Sequence, residues 1–104
     1  MTMIQRKRDL FVLLAKHEDQ LKRYGVKRWG VFGSFVSGHQ NESSDVDILV
    51  EFEQGKKSFD NFMHLAFFLE QQIGRRVELV TPEGLSPHIG PHILREVEYA
   101  SINS

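Results

Sequence analysis

The sequence predicts a small α/β (α+β) domain, because segments of helical periodicity alternate with short runs of strand-forming residues and glycines separate them. The chain has 104 residues, and we expect residues 1–104 to form a single domain. Its hydrophobic content of 40% and charged content of 26% are those of an ordinary soluble globular protein.

The bulk composition excludes several classes of protein. A net charge of −1 argues against a basic protein that follows the nucleic-acid backbone. The absence of cysteine excludes disulfides and thiolate metal sites and fits a reducing cytoplasm. The N-terminus becomes charged at once, so no signal peptide is predicted, and no apolar run approaches the ~20 residues needed to cross a bilayer. We therefore expect a cytoplasmic protein that binds neither membrane nor nucleic acid directly.

A first helix is predicted over residues 4–23, where apolar residues recur at roughly helical spacing. Gly25 follows in the usual place of a C-terminal glycine. The basic residues 6–8 suit a contact with phosphate or, as is commoner, a solvated helix end. The apolar residues of this helix are Leu10, Phe11, Leu14 and Leu21.

Two strands and the turn between them follow. Residues 26–32 are rich in β-branched and aromatic side chains and predict a first strand, which Gly33 ends. Residues 34–38 suit one or two helical turns, and residues 39–44 form a polar loop. Residues 45–52 predict a second strand, and a hairpin-like return would bring its start beside Gly33.

The clearest helix is predicted over residues 58–73, with Ser58 as its N-cap and Gly74 closing it. Its apolar residues fall on one stripe, so its aromatic residues are expected in the core rather than on a base-stacking platform. His64 lies off this stripe and is expected at the surface. The stripe consists of Phe59, Phe62, Met63, Ala66, Phe67 and Ile73.

A third strand is predicted over residues 75–81, and a last helix over residues 93–99. His88 and His92 are four residues apart, a spacing that helical metal sites use. Pro91 lies between them and no acidic residue completes a zinc pattern, so zinc is not expected there.

The start of the second strand carries two aspartates, Asp45 and Asp47, which share a face because they are two residues apart. Two carboxylates this close repel each other unless a proton or a cation lies between them, so the simplest purpose of the arrangement is to hold a divalent metal. Glu78 in the third strand is either an ordinary solvent-facing residue or, if the two strands are neighbours, a third carboxylate of the same site.

Gly33 and Ser34 form the turn after the first strand. The N–H groups at the start of a helix are natural phosphate donors, a glycine lets phosphate approach the backbone, and a serine hydroxyl adds one more donor. Taken alone, a Gly-Ser dipeptide after a strand is more often an ordinary turn.

The spacing of these residues resembles a known signature. Gly33-Ser34 is followed after ten residues by Asp45-Val46-Asp47, with Glu78 on a later strand, and this combination resembles the DNA polymerase β-like nucleotidyltransferase superfamily. The small size of the chain and the segment 76–87 resemble the minimal nucleotidyltransferase (MNT) branch. The resemblance covers residues 25–99.

The resemblance implies a mixed β-sheet flanked by helices and an Mg²⁺-dependent transfer of a nucleoside monophosphate from a nucleoside triphosphate. It implies that Asp45, Asp47 and Glu78 are catalytic metal ligands and that Gly33 and Ser34 hold the β- and γ-phosphates. MNT proteins are often encoded beside a HEPN-domain ribonuclease toxin and attach AMP from ATP to one of its tyrosines. An antitoxin with protein adenylyltransferase activity is therefore the implied function.

Two positions depart from the pattern of the family. Glu78 stands where an aspartate is usual, and Ser37 stands where many members have arginine, with Arg75 or Arg76 as candidates to replace that cation. A catalytically weak or inactive antitoxin that neutralises its partner by binding is therefore an alternative. A transferase for a small molecule such as an aminoglycoside is disfavoured, because no second substrate domain is present. The nucleotide, the acceptor and the choice between a homo-oligomer and a hetero-oligomer with the toxin stay open.

Overall fold

A computed structural model describes residues 4, 6–41 and 43–100, which contain five α-helices, one short 3-10 helix (Pro82–Gly84) and four strands. Both ends of the expected domain, residues 1–3 and 101–104, lie outside the described residues. The prediction that the N-terminus carries no signal peptide therefore falls partly outside them. The elements are α1 (Lys7–Lys16), α2 (Glu18–Arg23), β1 (Val26–Phe32), α3 (Ser34–Ser37), β2 (Val46–Phe52), α4 (Phe59–Ile73), β3 (Val77–Val80), α5 (Gly90–Glu96) and β4 (Glu98–Ala100).

The four strands form one mixed sheet in the order β3-β2-β1-β4. β1 pairs antiparallel with β2 and with β4, whereas β2 and β3 run parallel. The α4 helix supplies the crossover that a parallel connection requires. The predicted mixed sheet with flanking helices and the hairpin-like return of β2 are therefore confirmed.

The hydrophobic core lies between α1, α2 and α4 and one face of the sheet. Alternate strand residues supply the sheet side of this core, as the two-residue period of a strand requires. The residues between them point to the opposite face, which carries Phe32, Leu49 and the candidate site residues. The central buried residues of the core include Leu10, Leu14, Leu21, Val31, Ile48, Val50, Leu65 and Leu69.

The helical segments differ from the prediction in two respects. The helix expected over residues 4–23 is interrupted at His17, which separates α1 from α2. In α4 the expected apolar stripe is wrong, because Phe59 and Phe67 are 77% and 59% exposed. The fully buried α4 residues are Leu65, Leu69 and Ile73, spaced four apart, and only Ile73 belongs to the predicted stripe.

The last segment differs most from the prediction. The helix expected over residues 93–99 is confirmed over residues 93–96 and is wrong beyond them, because α5 ends at Glu96 and residues Glu98–Ala100 form the edge strand β4. Gly30 of β1 explains how close this strand comes, since a Cβ at that position would lie 2.8 Å from the Glu98 carbonyl oxygen. Among the described residues, no helix combines the length and the apolar character needed to span a membrane.

Candidate active site

The sheet register brings the predicted carboxylates together. Asp47 of β2 lies opposite Phe32 at the end of β1 on one side and opposite Glu78 of β3 on the other. Residues opposite each other share a face, so Asp47 and Glu78 project from the face that does not contact the core. Asp45 directly precedes β2 and is exposed. The condition under which Glu78 joins the aspartates, that their strands are neighbours, is met.

The electrostatics of Asp47 show how strongly these groups interact. Burial, a hydrogen bond with Glu78 and the negative charges of Glu78, Asp45 and Glu96 together raise the pKa of Asp47 from an ordinary 3.8 to about 7. A hydrogen bond between two carboxyl groups requires a proton on one of them. The cluster therefore carries excess negative charge that a proton or a cation would relieve.

Gly33 closes the other side of the cluster. Its backbone has φ +76° and ψ −148°, a combination that is essentially restricted to glycine. A Cβ built on Gly33 would collide with Oδ2 of Asp47, so the absence of a side chain is what lets the turn and the carboxylate approach. The Gly33 N–H points into the site, where it donates a 2.7 Å hydrogen bond to a carboxylate oxygen.

The short helix α3 follows this glycine, with Ser34 as its first residue. The Ser34 carbonyl oxygen accepts hydrogen bonds from the N–H groups of Gly38 and His39 and so closes the helical turn. Ser37, at the position where the family often has arginine, is exposed and its Oγ lies 3.0 Å from Nδ1 of His39.

Arg75 has a structural role in the loop that leads to Asp45. Its guanidinium donates to the carbonyl oxygens of Ile4, Asn41 and Ser44 at 2.8–3.0 Å. The bonds to Asn41 and Ser44 tie the loop before β2 to the segment before β3 and so help to fix Asp45 at the entrance of the strand. In the described structure Arg75 is therefore a loop anchor.

Glu96 is the site residue that the sequence reasoning missed. Its Oε1 accepts the hydrogen bond from the Gly33 N–H, and its charge contributes to the raised pKa of Asp47. The predicted helix over residues 93–99 gave this glutamate no reason to face the site. The available signal was Gly30, since a glycine inside a strand often marks the close approach of another backbone.

The donor set fits a hard divalent cation. All the converging groups are carboxylates, which suit Mg²⁺ and Ca²⁺, and the raised pKa of Asp47 reports a charge that such an ion would neutralise. Within residues 4, 6–41 and 43–100, no three His, Asp or Glu side chains form a ready-made metal cage. Mg²⁺ in nucleotide enzymes commonly takes only one or two carboxylates together with substrate phosphates, so this site does not need such a cage.

The fold and this site define a class of protein. A family model described as "Nucleotidyltransferase domain" matches residues 9–102, and the chain belongs to this family. The family was predicted from the spacing of Gly33-Ser34 and the aspartates, and the prediction that the chain is a nucleotidyltransferase is confirmed.

Individual proteins within this class are similar to the chain. The chain is 46% identical over 88 residues to the protein adenylyltransferase MntA of Thermococcus cleftensis, a match that covers 84% of this chain and 88% of the relative. A solved structure provisionally described as a minimal nucleotidyltransferase has a TM-score of 0.70 and 37% identity and covers 86% of this chain and 93% of that chain. A chain from a toxin–antitoxin crystal structure with AMP-PNP shares the fold, with a TM-score of 0.62 at 20% identity over 79% of this chain and 70% of that chain.

Proposed function

We propose that this chain transfers AMP from Mg²⁺-bound ATP to a tyrosine of a HEPN-domain toxin and acts as its antitoxin in the cytoplasm. The single observation that carries this proposal is the convergence of Asp47, Glu78 and the Gly33 turn at one edge of the sheet. The 46% identity to a protein adenylyltransferase supports AMP as the transferred group and a protein as the acceptor. The likeness of fold to a toxin–antitoxin structure supports the kind of partner.

In this proposal each residue has a defined task. Asp45 and Asp47 hold the metal and Glu78 completes its carboxylate ligands, while the Gly33 N–H and the Ser34 hydroxyl bind the β- and γ-phosphates. When bound, Mg²⁺ supplies neutralisation of the phosphate charge and a lower pKa for the attacking hydroxyl. Asp47, whose pKa is raised to about 7, has to lose its proton before it acts as a ligand, because metal ligands must be deprotonated.

The reaction that these roles serve is a displacement at the α-phosphorus. The acceptor hydroxyl oxygen forms a bond to the α-phosphorus, and the bond from this phosphorus to the oxygen that bridges to the β-phosphate breaks. Pyrophosphate leaves, and the hydroxyl proton passes to solvent. Donors at Gly33 and Ser34 stabilise the negative charge that grows on the departing pyrophosphate.

Radiolabelled ATP tests the proposal directly. The protein is incubated with α-labelled ATP, Mg²⁺ and the product of the adjacent gene, and label is expected on that product. The label should be lost in Asp45→Asn/Asp47→Asn and retained in Glu53→Gln, which removes a charge at the far end of β2. Absence of transfer by the wild-type protein to a HEPN-type partner would contradict the proposal.

A second candidate is an antitoxin that neutralises by binding alone. The observation that favours it is the hydrogen bond of Glu96 to the Gly33 N–H, which places a carboxylate where the proposal puts a phosphate. Neutralisation that survives Asp45→Asn/Asp47→Asn, without label on the toxin, would support this candidate against the catalytic one.

A further inference from the structure

The carboxylate of Glu96, at the end of α5, lies in the proposed phosphate site. Glu96 ends α5, and its Oε1 lies 2.7 Å from the backbone nitrogen of Gly33, which is 63 residues earlier in the sequence. A charged acceptor on a backbone N–H is the same kind of interaction that a phosphate oxygen would make there. The carboxylate therefore occupies a donor that the proposed function assigns to the nucleotide.

The position of Glu96 is fixed by the structure around it. β4 begins two residues later and pairs with β1, with Glu98 opposite Val31. Lys7 of α1 holds the same strand through a 2.7 Å ion pair with Glu98. Gly30 leaves room for this approach, since a Cβ there would also lie 2.7 Å from a methyl group of Val97. The backbone that follows Glu96 is thus anchored, while the Glu96 side chain reaches the Gly33 N–H.

Charge makes this arrangement unfavourable for a triphosphate. Glu96 joins Asp45, Asp47 and Glu78 in one negatively charged region. The metal ligands would be neutralised by Mg²⁺, but a carboxylate on the phosphate donor would still compete with the phosphate for that N–H and repel it.

We propose that Glu96 is an internal competitor of the triphosphate: its carboxylate occupies the Gly33 N–H in the free protein and must leave it before the nucleotide binds. The residue thereby lowers the affinity for phosphate-containing ligands and acts as a determinant of binding rather than as a group that reacts. This inference rests on the proposed function, because it requires that a triphosphate binds at Gly33.

Binding measurements on charge variants test this role. Calorimetric titration with Mg·ATP, Mg·tripolyphosphate and adenosine is carried out on the wild-type protein, Glu96→Gln and Glu96→Ala. Glu96→Ala is expected to lower the Kd for both phosphate ligands about tenfold, as loss of one competing charged hydrogen bond would do. Glu96→Gln should give a smaller gain, because its amide oxygen still accepts the hydrogen bond without the charge. The Kd for adenosine should not change, since adenosine carries no phosphate.

Two controls separate the possible failures. Glu53→Gln removes one negative charge away from the site and should leave all three Kd values within twofold of wild type. Unchanged or weaker binding of Mg·ATP by both Glu96 variants, with normal binding by wild type, would overturn the competitor role and leave the proposed function intact. Failure of wild type and every variant to bind Mg·ATP or Mg·tripolyphosphate would overturn the proposed function and this inference together.

Discussion

Replacement of Gly33 by alanine is expected to damage the site more than its size suggests. The new methyl group would collide with Oδ2 of Asp47, and the backbone would be held at φ +76° and ψ −148°. Alanine in this region of backbone conformation costs about 1–3 kcal/mol before any collision is counted. Asp47, which is a proposed metal ligand, would have to move to relieve the collision.

A matched variant in the same turn separates these two effects. Gly38 also has a positive φ, +83°, but a Cβ there meets nothing within 4 Å. Gly38→Ala should therefore cost about 1–2 kcal/mol of backbone strain alone. Each kcal/mol corresponds to about 4–8 °C in Tm for a domain near this size. Gly33→Ala should lower the Tm further than Gly38→Ala does, and only Gly33→Ala should abolish AMP transfer.

Thermal unfolding followed by circular dichroism, together with the label-transfer assay, measures both effects. A double-mutant cycle adds a direct test of the contact, because Gly33→Ala should cost less when Asp47→Ala has already removed the colliding carboxylate. Equal Tm values for Gly33→Ala and Gly38→Ala, with transfer intact in both, would refute the reasoning. Strictly additive effects of Gly33→Ala and Asp47→Ala on the free energy of unfolding would also refute it.

Two further predictions concern stability. Because the pKa of Asp47 rises from 3.8 to about 7 on folding, the metal-free folded protein binds more protons than the unfolded chain between these values. The free energy of unfolding therefore falls as pH rises through this window. In melts with a chelator, the Tm of Asp47→Asn should exceed that of wild type at pH 8 but not at pH 4. A gain that is larger at pH 4 would contradict this. Arg75→Ala removes the donors to the Ile4, Asn41 and Ser44 carbonyl oxygens and should cost about 2 kcal/mol in chemical denaturation. Arg75→Lys should restore only part of this loss, because one ammonium group cannot reproduce the spread of the guanidinium; full recovery with lysine would argue against the anchoring role.

The parts of the fold governed by local signals could be predicted from the sequence. β1 was expected over residues 26–32 and is found there, and β2 begins one residue later than expected. The cap at Ser58 and the glycine at 74 delimit α4 as predicted, since Ser58 Oγ accepts from the Asn61 N–H. These signals are contained in a few adjacent residues, so no knowledge of the tertiary structure is needed to read them.

The parts that depend on distant partners could not be predicted in the same way. α4 is apolar on more than one side, so periodicity alone did not distinguish the Leu65 and Leu69 face from the Phe59 and Phe67 face. β4 has three residues, and it forms a strand because it pairs with β1. The role of Glu96 depends on that pairing. The predicted site residues Gly33, Asp47 and Glu78 are brought together, whereas their catalytic roles stay predictions.

The order of the sheet has a consequence for how the site is assembled. Gly33 follows β1, and Glu96 lies shortly before β4. Asp47 and Glu78 are the second residues of β2 and β3, so every strand contributes at the same edge of the sheet. A slip of one residue in β2 or β3 would turn its carboxylate toward the core. The site therefore forms only after the whole sheet has paired in register, and a partly folded chain would lack both the proposed metal ligands and the Glu96 carboxylate at the Gly33 N–H.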